Sequence, residues 1–277
     1  MRNIVLTIAY DGTQYHGWQC QPNALTVQEV FSKTVEKILD HPVKIYAGGR
    51  TDTGVHAMGQ VINFYTEKQI ELASLAKGLN SLLPRDIRVK DTREEGSSFH
   101  ARYSAKAKTY VYCILNAPYN SPFLERYSWH ISYALDISAM DYAARILLGK
   151  HDFSAFKKKD EMYKSSVREI VRAGVKRKGD IIYFIIEAEG FLRYMVRNIV
   201  GTLVLAGAGK ITTEEFSAIL ESKEREKAGP TAPARGAFRR PAARGHTPAA
   251  APGPPRAFPS AGVAGASSPT AAAPRAA

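Results

Sequence analysis

Residues 47–60 read AGGRTDTGVHAMGQ, with Arg50 and Asp52 two positions apart, behind Gly48-Gly49 and ahead of Gly54. In an extended segment, residues two apart project to the same side, so a guanidinium and a carboxylate are offered together. The glycines open backbone conformations that other residues reach only at a cost, which lets the loop present a side chain at the mouth of a cleft. A nearby positive charge favours the anionic form of an acid, and an ionised carboxylate is what nucleophilic catalysis by aspartate requires. A lone Asp in a glycine-rich loop also suits an Asx turn or a helix cap. The neighbouring Arg50 and the paired glycines set the catalytic reading above that one. His56, in the same loop, has no second His or carboxylate at a metal-site spacing, so no metal is expected there.

Two further segments carry unusual chemistry. SFHARYSAKAKTYVYCI (98–114) interleaves His100, Arg102, Lys106 and Lys108 with Tyr103, Tyr110 and Tyr112. Cations alternating with aromatics suit a surface that holds phosphates and stacks bases. The competing reading is a solvated β-ribbon whose tyrosines belong to the core. FLRYMVRNIVG (191–201) places Arg193 and Arg197 four apart on an otherwise apolar helix, where they share a face. A guanidinium turned inward needs a partner, because an unpaired buried charge is costly. Asp52 is the candidate.

These residues need a scaffold, and the hydrophobic periodicity supplies one. NIVLTIAY (3–10), VKIYA (43–47), GQVINFYTE (59–67) and DIRVKDTREE (86–95) read as strands. The helices between them are TVQEVFSKTVEKIL (26–39), opened by a Thr26/Glu29 capping box, and ELASLAKGLNSLL (71–83), stopped by Pro84. The order then recurs with variation. AKTYVYCILNA (107–117) and YSWHISY (127–133) are strands, DISAMDYAARILL (136–148) is a helix capped by Asp136, and 167–190 is a hairpin turning at Lys-Gly-Asp. Helices at 191–207 and 212–222 follow, the second capped by Thr212. The expected fold is α+β: two similar halves, a mainly antiparallel mixed sheet, helices packed on one face and a central basic cleft. The halves are 1–105, carrying the catalytic loop, and 106–236. Residues 237–277, dominated by Ala, Pro, Gly, Ser and Arg, cannot bury a core and are expected to be a disordered tail.

The 277 residues carry a net charge of +12, of which the tail contributes five arginines and no acid, leaving +7 for residues 1–236. That surplus points to a polyanionic partner, most simply nucleic acid. No run of about eighteen apolar residues exists, so no membrane partner is expected. The start of the chain reads as a strand rather than a signal peptide. Two cysteines, Cys20 and Cys113, are too few for a disulfide framework and fit a reducing, cytoplasmic setting.

Taken together, YDGTQYHGWQ (10–19), GGRTDTGVHA (48–57), SFHAR (98–102), KTYVY (108–112), HDFSAF (151–156), FLRYMVRNIVG (191–201) and AGPTAPARG (228–236) resemble the tRNA pseudouridine synthase A family, in the family's order. The resemblance implies an isomerase that converts uridine to pseudouridine at positions 38–40 of the tRNA anticodon arm. It also implies a homodimer with one tRNA spanning both subunits, and no cofactor. It places the catalytic aspartate on Asp52, the active-site tyrosine on Tyr110 and the arginine paired with the aspartate on Arg197. Arg50 would help swing the target nucleotide out. Thr51, Tyr110, His100, Arg102 and Lys108 complete the expected substrate contacts.

After Gly236 the family continues into a short apolar strand, whereas this chain reads AFRRPAARGHTP. The expectation is that the strand is missing and a sheet edge is left unpaired. The rival functional reading is a non-catalytic RNA-binding module, which accounts for the charge and the aromatics but not for the Arg-Thr-Asp loop. A metal-dependent hydrolase is a third.

Overall fold

The computed structural model describes residues 1–159 and 161–240. Strand β1 (Arg2–Tyr10) leads through a loop to helix α1 (Val27–Leu39), whose Val27, Phe31, Val35 and Leu39 recur every fourth position and are all buried. The Thr26 side chain accepts from the Glu29 amide and so caps the helix. A two-residue strand β2 (Tyr46–Ala47) and the long β3 (His56–Thr66) flank the Arg-Thr-Asp loop. Helix α2 (Leu72–Leu82) ends as expected at Leu83, which is extended ahead of Pro84, and β4 (Ile87–Glu95) closes the first half.

The second half opens with β5 (Lys108–Asn116), β6 (Trp129–Ile131), α3 (Ile137–Ile146) and a short β7 (Gly149–Asp152) that sequence periodicity did not reveal. The hairpin β8 (Val167–Lys178) and β9 (Ile181–Ala188) turns at Gly179-Asp180. Helices α4 (Met195–Gly207) and α5 (Thr213–Ser222) follow, then β10 (Ala237–Arg240). Asp136 caps α3, and Thr212 and Glu215 form a complete capping box on α5.

One sheet runs β4-β1-β3-β10-β5-β9-β8-β7, with β2 also on β3 and β6 also on β5. Within it β4-β1-β3-β2 and β10-β5-β9-β8 have the same order, so each half is a β-α-β-β-α-β unit with its last strand beside its first. All pairings are antiparallel except β10 with β3 and β6 with β5. The apolar side chains of β1 and β3 pack with α1 and α2 in one cluster, and those of β5 and β9 pack with α3, α4 and α5 in another. This matches the expected α+β arrangement. No helix among the described residues is long and apolar enough to cross a membrane.

The expected missing strand needs correction. Residues 237–240 were assigned to the tail, but they form β10, which pairs with β3 on one side and β5 on the other and joins the two halves. Ala237 and Arg239 are buried at 2% and 5% exposure. Backbone pairing is indifferent to the arginine side chains, so the strand survives a sequence that composition alone assigns to coil. The rest of the expected tail, 241–277, lies outside the described residues.

Candidate active site

Residues directly opposite one another in a sheet project to the same face. The registers Tyr10↔Ala57, Ala57↔Arg239 and Arg239↔Tyr110 therefore set Tyr10, Ala57, Arg239 and Tyr110 in a row across β1, β3, β10 and β5. Tyr10 belongs to the cluster under α1, so the row lies on the helix-bearing face. The Arg-Thr-Asp loop is tied over this row. The Thr51 hydroxyl meets the Tyr10 hydroxyl at 2.8 Å, and the Thr51 carbonyl accepts from the Trp18 amide at 3.1 Å. Gly17 makes that approach possible. It has φ +86°, and a Cβ there would stand 2.6 Å from the Thr51 carbonyl oxygen. The segments 10–19 and 48–57 are thus two walls of one joint.

Asp52 follows Thr51 with its side chain about a quarter exposed, Oδ2 lying 3.9 Å from Arg197 Nη1 and Oδ1 3.9 Å from Arg193 Nε. No amide among the described residues hydrogen-bonds either oxygen, so the carboxylate is not spent on a turn. The sequence expectation is that a nearby cation, Arg50, favours the anion. The direction is the reverse: burial raises the Asp52 pKa and outweighs the pull of Arg197 and then Arg193, with Glu161 adding to the rise. At 3.9 Å the arginines are near but not hydrogen-bonded, and the desolvation of a loop packed under two segments dominates.

Arg197 is fixed by its other end. Its Nε donates to the Ala232 carbonyl at 2.7 Å, and its guanidinium lies over the Tyr194 ring, 5.0 Å from the centroid. The 228–232 segment that supplies this carbonyl lies flat on α4. Gly229 donates to the Thr202 hydroxyl, Ala232 donates to the Arg197 carbonyl, and a Cβ on Gly201 would come within 1.7 Å of the Pro230 carbonyl oxygen. Buried Asn198 donates to the carbonyls of Phe156 and Lys157 and accepts from Thr231 and Arg225, which locks three segments together. Helix α4 begins at Met195, not at 191, because Tyr194 takes a left-handed backbone with φ 64°. Arg193 therefore precedes the helix, and the expected shared helical face is replaced by a turn that still brings it to Asp52.

Tyr110, on β5, stands edge-on to Phe191, with ring centroids 5.2 Å apart and planes at 85°. Burial raises its pKa, Arg239 lowers it and Asp52 raises it, which sets all three in one neighbourhood. The structure thus brings Asp52, Tyr110 and Arg197 together. Arg50 is exposed at the rim. The Thr51 hydroxyl, grouped above with the substrate contacts, is buried on Tyr10 and holds the loop.

His100, Arg102 and Lys108 form a neighbouring group. His100 packs between Tyr46 and Tyr103, with centroids 4.8 and 4.5 Å away, and Arg102 lies over the Tyr103 ring. Burial lowers the pKa of Lys108, and Arg239 and Arg102 repel it further. His56 ties loops together. Its Nδ1 accepts from the Gly12 amide at 3.0 Å with Asp11 beside it, and its Nε2 faces the carbonyls of Arg126 and Arg235. The carbonyls define the neutral tautomer with the proton on Nε2. Sequence reasoning missed Arg239, Tyr10 and the Ala232 carbonyl. The first was hidden in a low-complexity stretch, and the others needed register and loop docking.

A family model described as tRNA pseudouridine synthase matches residues 6–104 and 143–240. The tRNA pseudouridine synthase A of Thermoanaerobacter pseudethanolicus is similar to this chain at 49% identity over 238 residues, 86% of this chain and 98% of the relative. The protein of that name from Acetivibrio thermocellus is 45% identical over 238 residues, with the same coverage. The one from Geotalea uraniireducens is 43% identical over 236 residues, 85% of this chain and 97% of the relative.

Proposed function

The chain belongs to the tRNA pseudouridine synthase family, and we propose that it isomerises uridine to pseudouridine at positions 38–40 of the tRNA anticodon arm, with Asp52 as the catalytic group. The observation that carries this reading is a carboxylate whose oxygens accept from no amide among the described residues, held between two guanidinium groups with a half-buried tyrosine nearby. In the reaction the N1–C1′ bond breaks, the C5–C1′ bond forms, the C5 proton leaves and N1 gains a proton. Electrons and atoms balance within the nucleotide, so no redox partner is needed. Glycosidases use two carboxylates because water must be activated and a leaving group protonated. Here the departing uracil returns as the nucleophile, and one carboxylate serves.

Asp52 acts at the ribose–uracil bond. Its raised pKa makes it a stronger base than a free aspartate, and Arg197 steadies its charge. Tyr110 stacks on the extruded base and takes part in removing the C5 proton. Extrusion costs a few kcal/mol, and contacts from Arg50, Arg102 and Lys108 to flanking phosphates offset it. Affinity should therefore fall with salt. On the family resemblance, the protein works as a cytoplasmic homodimer with one tRNA across both subunits.

Release of tritium from C5-labelled uridine in tRNA tests the reading. Release by the intact protein, lost in Tyr110→Phe with tRNA affinity little changed, is expected. Tight binding without release would favour a non-catalytic RNA-binding module.

A further inference from the structure

Arg239 is buried at the centre of the sheet, opposite Tyr110 of β5 and Ala57 of β3. Its head group is wedged against the entry to the catalytic loop. A Cβ added to Gly49 would stand 2.1 Å from Nη1, and one added to Gly48 would stand 3.1 Å from Nη2. The glycine pair in front of Arg50 thus has a second use, as the slot into which this guanidinium fits. The cross-strand register sets it beside Tyr110 on one face of the sheet, where its charge favours the phenolate. Among the described residues no carboxylate forms an ion pair with it. A cation withdrawn from water without a carboxylate is expensive, so the polar groups it does reach matter.

The Tyr110 ring is confined from the side by Phe191. What remains undetermined by packing is the direction of the hydroxyl and the charge its oxygen can bear. We propose that Arg239 is a positioning residue that acts through Tyr110, its neighbour across the strand pair, by supporting negative charge on the phenol oxygen. This rests on the reading of Tyr110 as the active-site tyrosine. Among the described residues, Arg239 from β10, Asp52 from the loop and Tyr10 from β1 act electrostatically on Tyr110. Burial and Asp52 both oppose ionisation of Tyr110, and Arg239 counters them.

The test is the titration of Tyr110 in the free full-length protein, followed by NMR on ζ-carbon-labelled tyrosine and assigned with Tyr110→Phe. Arg239→Leu should move the titration upward by about 1–3 pH units, the range for loss of an opposite charge at this separation. Arg239→Lys should retain most of the original value. A titration that runs past the alkaline limit of the fold in the Leu variant counts as an upward move. In turnover, Arg239→Leu should lower kcat at neutral pH about tenfold, within the reach of acid–base tuning, with little change in KM for tRNA, and Lys should restore it. An unchanged Tyr110 titration would overturn the proposal. So would a rise in turnover in Arg239→Leu, which would make the guanidinium an obstruction. The titration needs no substrate. A normal titration shift in a protein that forms no pseudouridine would therefore refute the activity, and with it any role for the pair in a reaction, as a result distinct from failure of the contact itself.

Discussion

The tether between Tyr10 and Thr51 decides where Asp52 stands, and a double-mutant cycle measures it. Tyr10→Phe and Thr51→Val each remove one hydroxyl from a 2.8 Å pair whose residues are 4% and 7% exposed. Each single change leaves the surviving hydroxyl buried without its partner, a loss of about 1–3 kcal/mol. Removing both leaves nothing unsatisfied, so the double variant should be more stable than the sum of the singles predicts, by about 0.5–3 kcal/mol. For a fold of this size each kcal/mol corresponds to about 2–4 °C in Tm, so the singles should melt visibly lower and the double should recover part of the loss. Urea unfolding of the four proteins gives the free energies, with calorimetry as a second reading. Each single variant should also lose kcat, because the next residue along the loop is Asp52. Strict additivity of the two substitutions would mean that the hydroxyls do not depend on each other and that the tether does not exist.

Three other outcomes follow from the same geometry. Gly201→Ala drives a Cβ into the Pro230 carbonyl, 1.7 Å away; it should cost about 3 kcal/mol and detach the Ala232 carbonyl from Arg197, and an unchanged Tm would contradict the docking described. Burial raises the Asp52 pKa, so the folded state holds that proton more tightly than the unfolded chain does and stability falls as pH rises from the ordinary carboxylate value through the raised one. Asp52→Asn should therefore raise Tm at neutral pH, with the gain fading in acid, and a lower Tm at neutral pH would refute this. Burial lowers the His56 pKa, so the unfolded chain takes up protons first and stability drops as pH falls below about 6.5. His56→Gln should flatten that part of a urea-unfolding pH profile, whatever it does to the absolute level, and an unaltered slope would show that His56 is not its source.

Much of this molecule was legible from residues alone, and the exceptions have physical causes. Alternation and capping located β1, α1, α2, β4, α3 and the β8–β9 hairpin because they carry their own boundary signals, such as the caps Thr26 and Asp136 and the stop at Pro84. The repeated β-α-β-β-α-β order was visible for the same reason. Strand β10 was not, because half of it is arginine and its pairing is made by backbone alone. The start of α4 was misplaced because the apolar run at 191–194 continues the helical pattern, while the backbone breaks at Tyr194. At the site, spacing singled out Asp52 with Arg193 and Arg197, while Tyr110 and the choice of Arg197 came from the family resemblance. Spacing could not give the sign of the Asp52 shift, which depends on how much water the folded loop excludes. Arg239 was invisible because its role comes from strand register across more than a hundred residues of chain.

The central claim is that the carboxylate of Asp52 carries out the isomerisation. Mapping pseudouridine at nucleotide resolution in unmodified tRNA, after treatment with the intact protein or with Asp52→Asn, tests it most directly. Modification at 38–40 is expected from the intact protein and none from the variant, which should still bind tRNA. Pseudouridine formed by Asp52→Asn at the normal rate would contradict it.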